Sequence, residues 1–141
     1  MIIIGSDHAG YPTKEYIKKF LDNNKISYRD LTPQKTEGDD YPGIARKVAK
    51  EVTKDPKNRG ILVCGTGTGM AMAANKVKGA RAAMAYDEYS AIKSREDNNA
   101  NIITLRGRHF DKKIAKNLVS LWLNTRFSRK ARHKRRVDKI K

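Results

Sequence analysis

ILVCGTGTGMAMAANK, Ile61 to Lys76, runs from an apolar stretch through a loop in which glycine alternates with threonine into a segment rich in alanine. Gly60 and Gly65 bracket the apolar stretch, and its unbroken Ile, Leu and Val suit a strand buried on both faces. Gly69 to Lys76 then reads as a short helix of small side chains. Strand, glycine loop and helix together are the repeating unit of a parallel α/β sheet, and this unit decides how the flanking sequence is read.

Upstream, MIII (Met1 to Ile4) is a buried strand closed by Gly5. Pro12 to Leu21 follows with Tyr16, Ile17, Phe20 and Leu21 at helical spacing. ISYRDL (Ile26 to Leu31) is a second strand, and after the polar loop TPQKTEGDD a helix opens at Pro42. Its inward face is Ile44, Ala45, Val48, Ala49 and Val52, and Asp55-Pro56 ends it. Downstream, ARAAMAY (Ala80 to Tyr86) is a strand, and Asp87 caps a helix that runs through Ser94 to Asn98. NIITL (Asn101 to Leu105) is the fifth strand. A helix from Asp111 to Leu123 turns Ile114, Leu118, Leu121 and Trp122 inward, and Ser128 caps a last, basic helix. The expected fold is a three-layer α/β/α Rossmann-like sandwich, with a five-stranded parallel sheet and right-handed crossovers. It forms a single domain over residues 1–141.

Ligands of such sheets bind at the carboxyl ends of the strands. Asp7-His8, Cys64 to Gly69, Asp87 and Arg106 to His109 all follow strands, so they share one rim. The asparagine-rich segment Ser94 to Ile102 is expected to bring Asp97, Asn98 and Asn99 to the same rim.

Composition narrows the classes of function. No long apolar run is present, so no transmembrane helix is expected. MIIIGSDHAG shows no basic leader before an apolar stretch, which makes a cytoplasmic location the default. The single cysteine cannot form an internal disulfide. The net charge is +16, of which Ser128 to Lys141, with eight Lys and Arg against one Asp, carries +7. Such a charge attracts polyanions and phosphorylated small molecules alike. Against nucleic acid stand the scarcity of aromatics, one Trp and three Phe, and the absence of a basic strand studded with them.

The loop CGTGTG lets backbone N–H groups turn inward ahead of a helix start, which makes an anion cradle. It is neither a dinucleotide fingerprint, since Met70 stands three after Gly67, nor a Walker loop, since Gly-Lys-Ser/Thr is missing. Thr66 stands where a nucleophile elbow needs serine. A plain strand-to-helix turn fits the loop as well. Cys64, last on its strand, sits where a helix start favours thiolate, and is equally suited to being a small buried hydrophobe. Arg132 and Arg136, four apart on the last helix, share a face and make either a bidentate phosphate clamp or a solvated basic surface. His8, His109 and His133 have no metal-ligand spacing on a helix, so neither a metal nor a cofactor is expected.

Taken together, GSDHAG (Gly5 to Gly10), DYP (Asp40 to Pro42), ILVCGTGTGMAMAANKVKGARAA (Ile61 to Ala83), SREDNNAN (Ser94 to Asn101), RGR (Arg106 to Arg108) and RHKRRV (Arg132 to Val137) resemble the ribose-5-phosphate isomerase type B family, which includes the galactose-6-phosphate isomerase subunits. The resemblance covers nearly the whole chain. It implies a metal-independent aldose–ketose isomerase interconverting ribose 5-phosphate and ribulose 5-phosphate through a cis-enediolate. Cys64 matches the family's base, and the amides of Gly65, Thr66, Gly67, Thr68 and Gly69, with the Thr66 hydroxyl, match the hole for the enediolate oxygens. Asp7, His8, Tyr41, Asn98 and Arg108 match substrate contacts, and Arg132 and Arg136 match the phosphate clamp. The resemblance also implies a homodimer, or a pair of dimers, with active sites shared between subunits.

One position departs from the pattern. Asp97 stands where many members carry a histidine that opens the sugar ring. An ordinary carboxylate is ionised at pH 7, so it accepts a proton from the anomeric hydroxyl and does not protonate the ring oxygen. Asp97 is therefore the ring-opening residue on the resemblance alone, with another group left to donate. The alternatives are an isomerase of a hexose 6-phosphate, of galactose or allose type, and a non-catalytic basic protein binding nucleic acid on the same fold.

Overall fold

The computed structural model describes all residues 1–141. Eleven elements follow one another: β1 (Ile2–Ser6), α1 (Tyr11–Asn23), β2 (Tyr28–Asp30), α2 (Tyr41–Val52), β3 (Arg59–Cys64), α3 (Thr68–Ala74), β4 (Ala82–Met84), α4 (Glu88–Glu96), β5 (Ile102–Arg106), α5 (Lys112–Asn124) and α6 (Ala131–Asp138). The strands form one sheet in the order β2-β1-β3-β5-β4, and every pairing is parallel. This is the expected α/β fold, with β2 and β4 trimmed to three residues each at the sheet edges.

Alternate strand residues point to opposite faces, and the sheet sorts its apolar side chains accordingly. Ile2, Ile4, Ile61, Val63, Ile103 and Leu105 meet Ile17 and Leu21 of α1, Ala91 of α4, and Leu118, Val119 and Trp122 of α5. On the other face Ile3, Leu62, Cys64 and Ile102 meet Ala45, Val48, Ala49 and Val52 of α2, and Met70 and Ala74 of α3. Central strands buried on both sides explain why ILVC is apolar without alternation. No helix is long and apolar enough to cross a membrane.

The chain leaves β1 toward α1 on one face and leaves β3 toward α3 on the other, while β1 and β3 are neighbours paired from Ile2↔Arg59 to Ser6↔Val63. Two adjacent strands whose connections diverge open a crevice at their carboxyl ends. That crevice holds Asp7-His8 and Cys64.

Three details differ from the sequence reading. Ile114 is 46% exposed, and α5 instead buries Ala115, Leu118, Val119 and Trp122, because the helix begins at Lys112 and its inward stripe is rotated by one residue. Lys130, not Ser128, is the N-cap of α6. The Ser128 hydroxyl is bonded instead to His133 Nδ1 at 2.6 Å. Finally, Asp97, Asn98 and Asn99 are not on the carboxyl rim. They lie in an α-to-β connection, and in a parallel sheet every such connection lies at the amino ends of the strands. Ile102 pairs with Gly60 there, whereas Cys64 pairs with Arg106 at the opposite end, four residues or roughly 13 Å further along the strand.

Candidate active site

The carboxyl rim is built on the loop that follows β3. Gly67 has φ +82°, a left-handed conformation that disfavours any side chain, and it turns its N–H back onto Cys64 Sγ at 3.1 Å. Cys64 is 3% exposed and lies against the apolar layer that includes Met70, so the residue is packed, and its sulfur accepts the Gly67 hydrogen bond. Thr68 N donates to Thr66 Oγ1 at 3.3 Å, and the two threonine hydroxyls are 2.8 Å apart and exposed. The amides of Gly67 and Thr68 are thus occupied within the loop, whereas those of Gly65, Thr66 and Gly69 have no partner in the chain. These three remain for a ligand oxygen.

Neighbouring segments lock the cradle in place. Gly107 N donates to Cys64 O at 2.8 Å and Arg108 N to Gly65 O at 3.1 Å. The Arg108 side chain lies over Gly65, with Cδ and a terminal nitrogen 3.3 Å from where a Cβ would stand. Thr104, buried on β5, donates its hydroxyl to Gly67 O at 2.8 Å. The Tyr41 ring packs so closely on Gly69 that a Cβ there would meet ring carbons at 2.6 Å. Gly69 is therefore glycine because an aromatic wall of the crevice rests on it.

Across the crevice, buried Asp7 Oδ1 accepts from Gly10 N at 3.0 Å and shapes the turn into α1. His8 is oriented by Asp39, a residue that no sequence motif marks. Asp39 Oδ1 accepts from His8 N at 2.8 Å and lies 3.0 Å from His8 Nδ1. A carboxylate accepts and does not donate, so Nδ1 carries the proton and Nε2 is the free nitrogen. The acidic pair Asp39-Asp40 ahead of Tyr41 was the available signal, but two acids before a helix read most simply as caps.

The remaining candidates gather elsewhere. Asp97 is the C-cap of α4, and its Oδ1 lies 3.6 Å from His133 Nε2 on α6. Ser128 N donates to Glu96 O at 3.0 Å, which ties the start of the tail to the same helix end. Arg132 and Arg136, both exposed, flank His133 on α6, and exposed Asn98 follows Asp97. One chain thus brings together Cys64, Thr66, Gly65 to Gly69, Asp7, His8, Tyr41 and Arg108 at one end of the sheet. It gathers Asp97, Asn98, Arg132 and Arg136 at the other.

Chemically, the first group offers a sulfur, an oriented imidazole and three free amides on one rim, with Arg108 against Gly65. Such a set suits the movement of a proton on carbon next to a carbonyl, which needs a base and donors where negative charge develops. The second group offers two guanidinium forks on one helix face, suited to a phosphate. No cluster of three or more His, Cys, Asp or Glu side chains is arranged to hold a metal ion.

Known proteins of this shape and sequence carry names that agree with that chemistry. Residues 2–140 match the family model described as Ribose/Galactose Isomerase. Ribose-5-P isomerase B of Listeria innocua is 42% identical over 127 residues, spanning 90% of this chain and 86% of that one. D-erythrulose-4-phosphate isomerase of Pectobacterium atrosepticum is 39% identical, spanning 89% of this chain and 84% of that one. The crystal structure of ribose-5-phosphate isomerase B from Mycoplasma genitalium with bound ribulose-5-phosphate superposes with a TM-score of 0.93 at 40% identity, covering 99% of this chain and 92% of that one. With a match over almost its whole length, the chain belongs to the ribose/galactose isomerase family and is a sugar-phosphate isomerase.

Proposed function

We propose that the protein interconverts ribose 5-phosphate and ribulose 5-phosphate through a cis-enediolate, in sites shared between two copies of the chain. The observation that carries this reading is the buried Cys64 sulfur, held by the Gly67 amide beside amides with no other partner. As thiolate, Cys64 takes the proton from C2 of the open-chain aldose. The electron pair moves into the C1–C2 bond, and O1 becomes an oxyanion that the amides of Gly65, Thr66 and Gly69 receive with the Thr66 hydroxyl. Return of the same proton to C1, with transfer of the O2 proton to O1, gives the ketose and restores the thiolate. His8 and Asp7 hold sugar hydroxyls, and Tyr41 walls the pocket. These steps require a base and hydrogen-bond donors only, so activity is expected to survive treatment with a chelator.

The partner copy supplies the other half. Its Asp97 would take the proton of the anomeric hydroxyl during ring opening, its Asn98 would contact the sugar, and its Arg132 and Arg136 would hold the phosphate. The names of two relatives and the ribulose-5-phosphate bound in one solved structure support the choice of a five-carbon substrate. A relative named for erythrulose 4-phosphate, at 39% identity, favours a four-carbon sugar as the second reading. A coupled assay over tetrose, pentose and hexose phosphates decides among them: ribose 5-phosphate is expected to have the highest kcat/KM, and turnover of none of them overturns the proposal. In the same assay Cys64→Ala is expected to lose at least about a thousandfold in kcat with little change in sugar binding. Near-full activity in that variant would show that the base lies elsewhere.

A further inference from the structure

A second concentration of positive charge lies at the amino ends of β3, β4 and β5, apart from Cys64 and from the Arg132–Arg136 pair. There a cavity of about 940 Å³ is lined by Arg59, Arg81, Arg95, Arg126, Arg129 and Lys134, with no acidic side chain in its wall. Three of the arginines are fixed from within. Arg95, only 6% exposed, lies against the Trp122 ring and donates to Thr125 O, Asn99 Oδ1 and Ala100 O. Arg81 donates to Asn99 O and Gly79 O, and Arg59 to Pro56 O and Asn58 O. Neutral carbonyl groups hold the guanidinium planes in place, and none of the three arginines forms an ion pair with a carboxylate. Burial, then the nearby charges of Arg59 and Arg81, pull the Arg95 guanidinium down to about 10, and burial also lowers Arg59 and Arg81. Like charges gathered without counter-charge oppose folding, and a bound anion would remove that opposition.

We propose that this cavity is a second anion site, which takes the di- or triphosphate group of a small molecule. Six cations in one concave wall exceed what a single phosphate can engage, and guanidinium forks match phosphate oxygens in pairs. Phe127 is the one aromatic ring in the wall and offers a face for a base if the phosphates belong to a nucleotide.

Isothermal titration calorimetry of the intact protein with inorganic triphosphate, at about 150 mM salt, tests the proposal. Triphosphate is expected to bind at least about a hundredfold more tightly than inorganic phosphate. Arg126→Gln/Arg129→Gln, both exposed and so without risk to folding, is expected to weaken it at least about tenfold. Arg132→Gln/Arg136→Gln is expected to leave it unchanged. Lys47→Gln/Lys50→Gln, which removes the same charge from the exposed side of α2, controls for general attraction. Equal losses in this control and in the Arg126/Arg129 variant would overturn the proposal, and so would loss confined to the Arg132/Arg136 variant, which would assign the anion to the sugar-phosphate clamp. If a nucleoside triphosphate binds more tightly than inorganic triphosphate and Phe127→Ala abolishes the difference, the ligand is a nucleotide; equal affinities make it an inorganic polyphosphate.

Discussion

His8 pairs with Asp39 and Asp97 with His133, and each pairing joins residues far apart in the chain. Asp39 binds His8 through both backbone and ring, so it orients the imidazole without facing the crevice as a base. Asp39→Asn is expected to lower kcat about tenfold to a hundredfold, by releasing the Nδ1–H tautomer, while KM changes less. The ring signals of His8 followed by NMR should show the tautomer mixing, and an unchanged spectrum with unchanged kcat would count against that role. Asp97 is held by His133, whose other nitrogen is bonded to Ser128. If it serves ring opening, Asp97→Asn slows turnover of the cyclic sugar phosphate much more than that of an open-chain analogue. Equal losses on both would remove Asp97 from that step.

Among the elements, β2 and α1 are joined by the most deeply buried charge in the chain. Lys14 is fully buried, and its ammonium reaches Asp30 Oδ2 at 2.7 Å and the Thr32 carbonyl, with Lys18 on the same carboxylate at 2.9 Å. Burial alone would raise the Asp30 carboxyl, but hydrogen bonds from Lys14, Lys18 and the Thr32 amide outweigh it and hold the group below the usual carboxylate range. Because the folded value is depressed, the contribution is complete above the unfolded value of about 3.9 and is lost as pH falls from there through the folded value. Asp30→Asn leaves buried Lys14 with Glu15 at 3.3 Å and the Thr32 carbonyl as its remaining partners, and is expected to cost about 2–3 kcal/mol at pH 7. Urea unfolding across pH should show the gap between the two proteins closing below about pH 4; a gap that stays constant to pH 2 would mean that the ion pair is not its source.

Local sequence pattern conveys contacts between near neighbours and misses those made by distant segments. The capping box of Asp87 and Ser90 is a contact between near neighbours, and Asp87 was readable as the cap from sequence. ILVC was readable as a central strand because burial on both faces leaves no polar position. The rotated stripe of α5 was not, since Ile114 and Ala115 are both apolar and only the packing of Trp122 and Leu118 decides which turns inward. Asp39 and His8 are 31 residues apart, and Asp97 and His133 lie on separate helices. Such pairs depend on how loops return across the sheet. The glycine loop, Asp7-His8 and Arg108 needed only the rule that parallel strands share a carboxyl rim.

For the molecule as a whole, Cys64 and the Arg132–Arg136 pair stand at opposite ends of the sheet. Cys64 closes β3, whereas α6 is tied to the end of α4 through Ser128 N to Glu96 O and His133 to Asp97. No side-chain rotation carries Arg132 along the four-residue length of strand that separates the two ends, so the proposed reaction requires the Arg132 and Arg136 of a second copy. This makes a quantitative prediction. Cys64→Ala and Arg132→Gln homodimers should each be nearly inactive. Unfolded together and refolded at equal concentration, they should give about half mixed dimers, by random pairing. Each mixed dimer combines the intact Cys64 of one chain with the intact Arg132 of the other in one of its two sites, and both substitutions fall in the second. About a quarter of wild-type activity should therefore return, with the KM of the unmodified enzyme. Recovery of none, although mass spectrometry finds the mixed dimers, would mean that the Cys64 and Arg132 of a site come from the same chain.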